Sequence, residues 1–320
     1  MAHFENGSPT GMNFDSAVTG QANNFWVPEI FSKKVQIAFR KSAVCEAVCN
    51  TDYFGEITQY GDTVNIIKEP TISVTDYLRG TDTSAGETAL TDEELTLIID
   101  QAKYFRFKVD DLEERFSHVN WQAIAADNAA YQLKDAYDVN VLTAMLAGVD
   151  SGNVYGGDGG ATNPIDTGHA SGETDPLDVL ARLARILDDD NVPEENRYVV
   201  ANPIYYEELA KTNSKLMSVD YNQGDGGLRN GLVASGQLRG FKLYKSNNLP
   251  TTAGTTSFSG TTLYNLLAGH MSATAAASAL SQTESFRSHT DFADVVRGML
   301  VWGRKVLRPE ALARAYMTID

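Results

Sequence analysis

Few residues in the sequence have the type and position that a catalytic or metal site requires, and the two cysteines are the first candidates. Cys45 and Cys49 stand four residues apart, which places them on one face of a helix. Two such thiols could form half of a zinc site, but no second pair of cysteines or histidines stands at a recognised ligand spacing. We therefore expect two small apolar side chains on a packed helix face, kept reduced inside a cell.

The other candidates for catalysis or cation binding are scattered along the chain. Residues 168–172 read GHASG, in which the serine stands one place too late for a G-x-S-x-G nucleophile elbow. Asp158 and Asp166 lie near glycines, yet their spacing fits neither an EF-hand nor a glycine-aspartate calcium repeat. A cation site at 188–190 is conceivable, although a solvated loop is the interpretation we favour. The histidines are dispersed at His3, His118, His169, His270 and His289. The residues point away from an enzyme, and a hydrolase whose triad is distant in sequence is one alternative.

Composition argues against several other classes of protein. The 320 residues include 26 Lys and Arg against 42 Asp and Glu, a formal net charge of −16. This charge disfavours direct binding to nucleic acid or to anionic membranes, because both attract Lys and Arg. The sequence contains no run of about 18 apolar residues, so it predicts no membrane-spanning helix. Its first residues also lack the pattern of a signal peptide. A hydrophobic content of 42% indicates a globular protein with a sizeable core.

The first third of the chain predicts a helix followed by a long hairpin. Residues 28–48 begin with a proline suited to a first helical turn and continue with apolar residues at helical spacing. Residues 52–110 alternate with period two on both sides of a turn-rich decapeptide, LRGTDTSAGE at 78–87. A two-stranded ribbon is marginally stable alone in water. We therefore expect another subunit to cover the apolar face of this hairpin.

The clearest predicted element is a helix over residues 111–147, which contain neither Gly nor Pro. Gly148 ends it. At 1.5 Å per residue the helix would span ~55 Å and serve as a strut. Its large apolar side chains share one arc and should pack inward: Trp121, Ile124, Tyr131, Val139, Leu142, Met145 and Leu146.

The second half of the chain predicts alternating helices and strands. Residues 148–173 are rich in glycine and indicate a flexible surface loop. Asp175 and Asn202 each precede a proline and should each open a helix. The remaining predictions are strands at 197–201, 232–246 and 263–269, a short helix at 271–280, and two or three strands within 281–320 with their basic residues on solvated faces.

Four segments, in this order, give the chain a recognisable pattern: FWVPEIFSKKV (25–35), GDTVNI (61–66), DQAKYFRFKVDDLEE (100–114) and VRGMLVWGRKVLRPEALA (296–313). Over nearly its whole length the sequence resembles the major capsid proteins of tailed bacteriophages, which have the Hong Kong 97-like fold. The resemblance implies an α+β fold with an N-terminal arm, a long hairpin called the E-loop, a spine helix, a peripheral domain and an axial domain. The implied boundaries are 1–26 for the N-arm, 27–51 for an N-terminal helix region, 52–108 for the E-loop, 109–175 for the spine helix and glycine-rich loop of the peripheral domain, 176–280 for the axial domain, and 281–320 for the C-terminal strands of the peripheral domain.

The resemblance also implies a structural role without catalysis, cofactor or metal. Copies of the chain would assemble in the host cytoplasm into hexamers and pentamers of an icosahedral head. The virion would enclose double-stranded DNA without sequence-specific binding and without a membrane. A portal protein, a scaffolding protein and a cement or decoration protein are the further partners that the resemblance suggests. The implied contacts between subunits are Leu78, Arg79, Gly80, Thr81 and Asp82 at the E-loop tip, and Phe14, Asn23 and Phe25 in the N-arm.

One departure from the family pattern concerns covalent cross-linking. Some relatives join subunits through an isopeptide bond from an E-loop lysine, but the predicted tip contains Arg79 and no lysine. Lys68 lies well down one arm of the hairpin and Lys103 lies near the base of the other. Because arginine stays protonated, we expect a non-covalent lattice.

An alternative keeps this fold and changes its biology. An encapsulin-like compartment would enclose a cargo enzyme instead of DNA, so the contents of the shells would discriminate between the two functions.

Overall fold

The computed structural model describes residues 40–41, 43–51, 63–68, 72, 74–76, 79–80, 93–111, 121–156, 163–211, 228–229, 232–233, 237–255, 258 and 260–319. The predicted N-arm lies outside these residues. In chain order the helices are α1 (Cys45–Val48), α2 (Trp121–Ala147), α3 (Pro176–Asp189) and α4 (Pro203–Ala210). The strands are β1 (Thr63–Lys68), β2 (Glu93–Ile98), β3 (Gln101–Asp110), β4 (Val154–Tyr155), β5 (Ile165–Asp166), β6 (Arg197–Ala201), β7 (Leu228–Arg229), β8 (Leu232–Val233), β9 (Gln237–Leu238), β10 (Phe241–Lys245), β11 (Thr252–Ala253), β12 (Thr262–His270), β13 (Thr274–Arg287), β14 (Ala293–Val306) and β15 (Leu312–Thr318).

A mixed eight-stranded sheet and two helices form the larger core. Its strand order is β4-β15-β12-β6-β10-β9, with β5 also paired to β15 and β11 to β12. Asp175 caps α3 by accepting a hydrogen bond from the Leu177 amide at 2.9 Å, as its position before Pro176 predicts. The Tyr205 hydroxyl of α4 donates to the Pro176 carbonyl at 2.7 Å and so joins the two helices. One face of α3 is fully buried against the sheet through Leu177, Val179, Leu180, Leu183 and Leu187.

A smaller antiparallel sheet, in the order β13-β14-β3, carries α2 on one face. The Trp302 ring of β14 meets the Tyr137 ring of α2 edge-on at 5.7 Å between centroids. Its indole N–H donates to Asn140 Oδ1 at 3.1 Å, so the buried ring keeps a partner for its polar atom. Gly148 follows α2 as predicted, and a Cβ there would lie 3.0 Å from the Cβ of Val306. The end of the helix therefore packs directly on β14.

A buried carboxylate joins α1 to α2. Asp138 of α2 is fully buried, and its Oδ1 accepts the amide hydrogens of Val44 at 2.8 Å and Cys45 at 2.7 Å. Its Oδ2 accepts from the Asn248 side chain at 2.9 Å. These bonds satisfy amides at the start of α1 that have no partner within the helix. Cys45 of α1 and Cys49, which follows it, are both buried and form no disulfide, with their sulfurs 4.0 Å apart. They pack among apolar residues of α2, so the expected apolar packing is confirmed.

The predicted hairpin exists but is shorter than expected. β1 and β2 pair antiparallel from Thr63 opposite Ile98 to Lys68 opposite Glu93. β3, which the period-two pattern assigned to the same arm, instead pairs with β14 through ten residue pairs. The chain leaves strand geometry at 99–100 and changes sheets there. The prediction of one continuous hairpin arm, with Lys103 at its base, was therefore wrong.

Two predictions in the second half were also wrong. The alanine-rich segment 271–280 is a single 3-10 turn followed by the start of β13, not a helix. Its small side chains, including Ala275 and Ala277, are fully buried between layers, and pairing along β14 overrides alanine's helix propensity. The expected loop at 148–173 includes β4 and β5, which both pair in parallel with β15.

Three further expectations need correction. Of the helix predicted at 28–48, the described residues before Cys45 are not helical. The apolar arc predicted for α2 is right for Leu142, Met145 and Leu146, whereas Ile124 is 36% exposed. Residues 312–318, assigned with the strands beside the spine helix, pair with β12 in the larger sheet.

Not all basic residues of the C-terminal segment are solvated. The Arg314 guanidinium lies over the Tyr316 ring at 4.0 Å and donates to Asn265 Oδ1 at 2.9 Å. Burial lowers the pKa of Arg314.

Candidate assembly surfaces

The root of the hairpin is fixed to the smaller sheet by close packing. Leu97 of β2 is fully buried against Ala275 and Ala277 of β13. Beside them, Gly303 of β14 has no side chain, and a Cβ there would lie 3.0 Å from the carbonyl carbon of Ile98. The small residues therefore form a shallow seat that lets the hairpin backbone approach the sheet.

Beyond its root the hairpin presents apolar side chains that the described part of the subunit does not cover. Ile72 is 64% exposed and Val74 is 95% exposed. At the predicted tip, Arg79 and Gly80 form an exposed turn, and Gly80 has a φ of +87° that favours glycine. This arrangement leaves two apolar side chains exposed to solvent, as expected for a contact with another chain.

Of the predicted contact residues, only Arg79 and Gly80 lie within the described structure. Leu78, Thr81 and Asp82 at the tip lie outside it, as do Phe14, Asn23 and Phe25 in the N-arm. The structure therefore does not test whether these side chains meet a neighbouring subunit.

The face of the smaller sheet opposite α2 forms a second exposed surface. Arg106 of β3 stands opposite Arg297 of β14, an arrangement that costs energy unless the charges are balanced. Arg297 forms an ion pair with Glu284 at 2.6 Å, and both guanidinium groups lie over the Phe286 ring, at 5.9 Å for Arg106 and 5.2 Å for Arg297. Next to them Tyr104 is 78% exposed. Together with Met299 these residues border a groove of about 390 Å³.

Sequence reasoning missed this second surface. Its signal was present, because Tyr104, Arg106 and Lys108 alternate with Phe105 and Phe107 along β3. The period-two pattern places β3 in the hairpin and so separates these outward residues from Arg297. Only the pairing of β3 with β14 brings them together.

A polar strap ties α1 and the chain just before it to the exposed side of α2. It consists of ion pairs between Arg40 and Asp127, Lys41 and Asp135 at 3.5 Å, and Glu46 and Lys134 at 3.1 Å, with a hydrogen bond from the Lys41 amide to the Tyr131 hydroxyl at 2.9 Å. Beside this strap a groove of about 380 Å³ lies between α2 and the smaller sheet. Its lining is mainly apolar and includes Phe105, Ala126, Ala130, Leu133 and Leu300.

Catalytic and metal chemistry finds little support in the described residues. Among them no group of three His, Cys, Asp or Glu could hold a metal ion. A hydrogen bond with Cys45, together with burial, raises the pKa of the Cys49 thiol well above its ordinary value, which disfavours its thiolate form. Burial likewise raises the pKa of Tyr198 and of Tyr205.

The acidic run at 188–190 pairs with protein groups. Asp188 forms an ion pair with Arg197 at 2.7 Å, and Asp190 accepts from the Asn153 amide group at 2.6 Å. These contacts hold the end of α3 against the larger sheet.

No helix among the described residues is long and apolar enough to cross a membrane.

Comparisons with solved structures show what this fold is similar to. A structure from Mycobacterium phage Che8 is 26% identical, with a TM-score of 0.70, over 92% of this chain and 98% of that one. The capsid of cyanophage P-SCSP1u is 20% identical, with a TM-score of 0.72, over 94% and 96% of the two chains. The capsid of an empty GTA particle is 11% identical with a TM-score of 0.64. The predicted α+β capsid fold is confirmed.

Sequence comparison identifies the family. Residues 92–315, most of the chain, match the family model described as phage capsid protein. No curated protein sequence matches the chain significantly. The matched range begins just before β2 and ends within β15, so it includes α2 and the smaller sheet, whereas the exposed hairpin residues Ile72 and Val74 lie before it. The chain therefore belongs to the phage capsid protein family and is a structural major capsid protein, which assembles with copies of itself into the shell of a virion.

Proposed function

We propose that this chain forms the hexamers and pentamers of an icosahedral phage head that encloses double-stranded DNA. The observation that carries the proposal is the hairpin, whose root is fixed by Leu97 while Ile72 and Val74 are exposed to solvent. Burying such a side chain stabilises a contact by about 1.5–3 kcal/mol. A neighbouring subunit in the ring supplies that cover, with the E-loop tip from Leu78 to Asp82 and the N-arm extending the contact.

The charge of the chain suits enclosure of DNA better than binding to it. A net charge of −16 repels phosphates at short range, and salt screens this repulsion beyond about 10 Å. Packaged DNA then stays mobile against the wall of the shell. The same repulsion acts between subunits, so assembly depends on salt.

The lattice is proposed to be non-covalent and non-enzymatic. Arg79 is the described basic residue at the hairpin tip, and its guanidinium is a poor nucleophile. Shell assembly in the host cytoplasm then relies on a scaffolding protein for curvature, a portal protein at one vertex, and a cement or decoration protein where the lattice needs reinforcement.

A charge placed on the hairpin tests the assembly contact. Val74→Asp should leave the subunit folded, because this side chain is 95% exposed, but it should abolish shells. Thr75→Asp is the matched control, because it adds the same charge at the next exposed residue. Electron microscopy of both variants provides the measurement. Equal shell yields would overturn the proposed hairpin contact.

The contents of the particles test the enclosed partner. Nuclease-protected double-stranded DNA in particles from the source would support the phage head. Particles that instead contain a protein cargo would assign the chain to a cellular compartment. Shell yields that do not change between low and high salt would refute the charge argument.

A further inference from the structure

The N-terminal half of α2 is only partly covered by the other described parts of the subunit. Residues 122–136 include no buried side chain, whereas Tyr137, Val141, Leu142 and Met145 are buried in the next two turns. The difference is not explained by polarity, because the first half contains several alanines and Leu133. The apolar groove beside the strap lies along this bare half.

The chain outside the described structure begins at the edge of this groove. Arg40 is held to Asp127 of α2 and lies over the Tyr131 ring at 5.3 Å. Asp127 directly follows Ala126 and Tyr131 directly follows Ala130, and both alanines line the groove. Consecutive residues are 100° apart around a helix. Residues that precede Arg40 therefore start on the helix surface adjacent to the groove.

The sequence before Arg40 has the length and pattern to fill the groove. Phe31, Val35 and Ala38 recur at spacings of four and three, which places them on one face of a helix, with Ser32 and Gln36 on the other. Twelve residues of helix are about 18 Å long. The groove follows α2 from Ala126 to Tyr137, a distance of about 17 Å at 1.5 Å per residue.

We propose that residues 28–39 form a helix that docks in the groove between α2 and the smaller sheet of the same subunit. From its anchor at Arg40 the segment turns back and runs antiparallel to α2, which sets Val35 beside Ala130. The docked helix covers the alanines of α2 and Phe105 of β3. It also fixes the point from which residues 1–26 leave the subunit.

Disulfide trapping tests both the contact and its partner. The full-length chain carrying Val35→Cys and Ala130→Cys should oxidise to a faster-migrating monomer on a non-reducing gel. Gln36→Cys with Ala130→Cys is the matched control, because its thiol sits one residue along, about 100° around the helix from Val35. Cross-linking should be about tenfold faster for the first pair, since docking raises the effective concentration of its thiols. The buried Cys45 and Cys49 are common to both variants.

A second variant avoids dependence on introduced thiols. Ala130 is exposed in the described structure, so Ala130→Glu should not disturb folding unless another segment covers that position. If residues 28–39 dock there, the charge should speed trypsin cleavage after Lys33 and Lys34 about tenfold, because cleavage follows the open population. Asn128→Glu places the same side chain on an exposed position on the far side of α2 and should leave the cleavage rate unchanged.

Two results would overturn the inference. Cross-linked dimers from the Val35 and Ala130 pair would show that the groove receives a segment from another subunit. Equal cross-linking by both cysteine pairs, together with equal cleavage of both glutamate variants, would show that residues 28–39 do not occupy the groove.

Discussion

Gly303 offers a direct test of how the hairpin is seated. In Gly303→Ala the new methyl would overlap the carbonyl oxygen of Ile98 and lie 3.0 Å from the Cα of Ile99. Carbon atoms in contact prefer about 3.5–4.0 Å, so the hairpin backbone must move by roughly 0.5–1 Å. Overpacking of this kind costs about 1–3 kcal/mol. Reduced entropy of the unfolded chain returns about 0.4–1 kcal/mol for a glycine-to-alanine change. We therefore expect a net loss of about 1–2 kcal/mol.

The loss should appear in both a global and a local measurement. Urea unfolding of the unassembled subunit should show the lower free energy of unfolding, and hydrogen exchange should be faster in β2. Gly152→Ala is the matched control, because its methyl would lie 3.4 Å from Asp150 Oδ1, an ordinary contact, and its backbone φ is not positive. The control should match the parent chain or exceed its stability.

Two measurements together would exclude a seat for the hairpin at Gly303. If Gly303→Ala unfolds at the same urea concentration as Gly152→Ala and exchanges β2 amides at the parent rate, the hairpin does not rest on Gly303. A loss of stability with unchanged exchange in β2 would place the strain elsewhere in β14.

Three further predictions follow from the buried contacts. In a urea titration, Trp302→Ala should lower the free energy of unfolding by about 3–5 kcal/mol. Met299 lies on the other face of β14 and is 39% exposed, so Met299→Ala should lower it by less than about 1 kcal/mol. Asp138→Asn should destabilise the subunit by about 1–3 kcal/mol, because the new amide N–H group then faces the amide N–H group of Asn248. Adding Asn248→Asp should restore part of the lost stability. A double variant no more stable than the single one would argue against the hydrogen bond between these two side chains. The raised pKa of Cys49 means that above about pH 8.5 the unfolded chain releases a proton that the folded chain keeps. Stability should then fall as pH rises, by up to about 1.4 kcal/mol per pH unit for each such group, and urea midpoints that stay constant from pH 8 to 10 would contradict this.

Local patterns were sufficient where one element carries its own signal. The absence of Gly and Pro over 111–147, followed by Gly148, predicted the helix that the structure describes from Trp121 to Ala147. The Asp175-Pro176 and Asn202-Pro203 pairs predicted the starts of α3 and α4 correctly. Caps and proline act on neighbouring backbone groups, so their effects can be read without knowing the fold.

Predictions failed where the partner of a segment lies far away in sequence. Period-two alternation showed that 101–110 is a strand, but alternation does not say which strand it pairs with, and its partner β14 begins at Ala293. The alanines at 275–277 favour a helix locally and become a buried strand because β14 and the hairpin pack on them. The apolar arc of α2 failed at Ile124 because the described subunit covers only the second half of the helix.

Sequence patterns were sufficient to identify the class of the molecule: an acidic, globular α+β chain with a long helix, a hairpin, no recognised catalytic motif, and a motif order that resembles phage capsid proteins. Which surfaces exist depends on the tertiary structure. The seat at Gly303, the arginine face at Arg106 and Arg297, and the groove beside Ala130 each combine residues from strands or helices far apart in the chain. Spacing along a sequence records which side chains share a face of one element. Which faces meet, and which remain bare for another partner, depends on packing between elements, and that is fixed by contacts over long sequence separations.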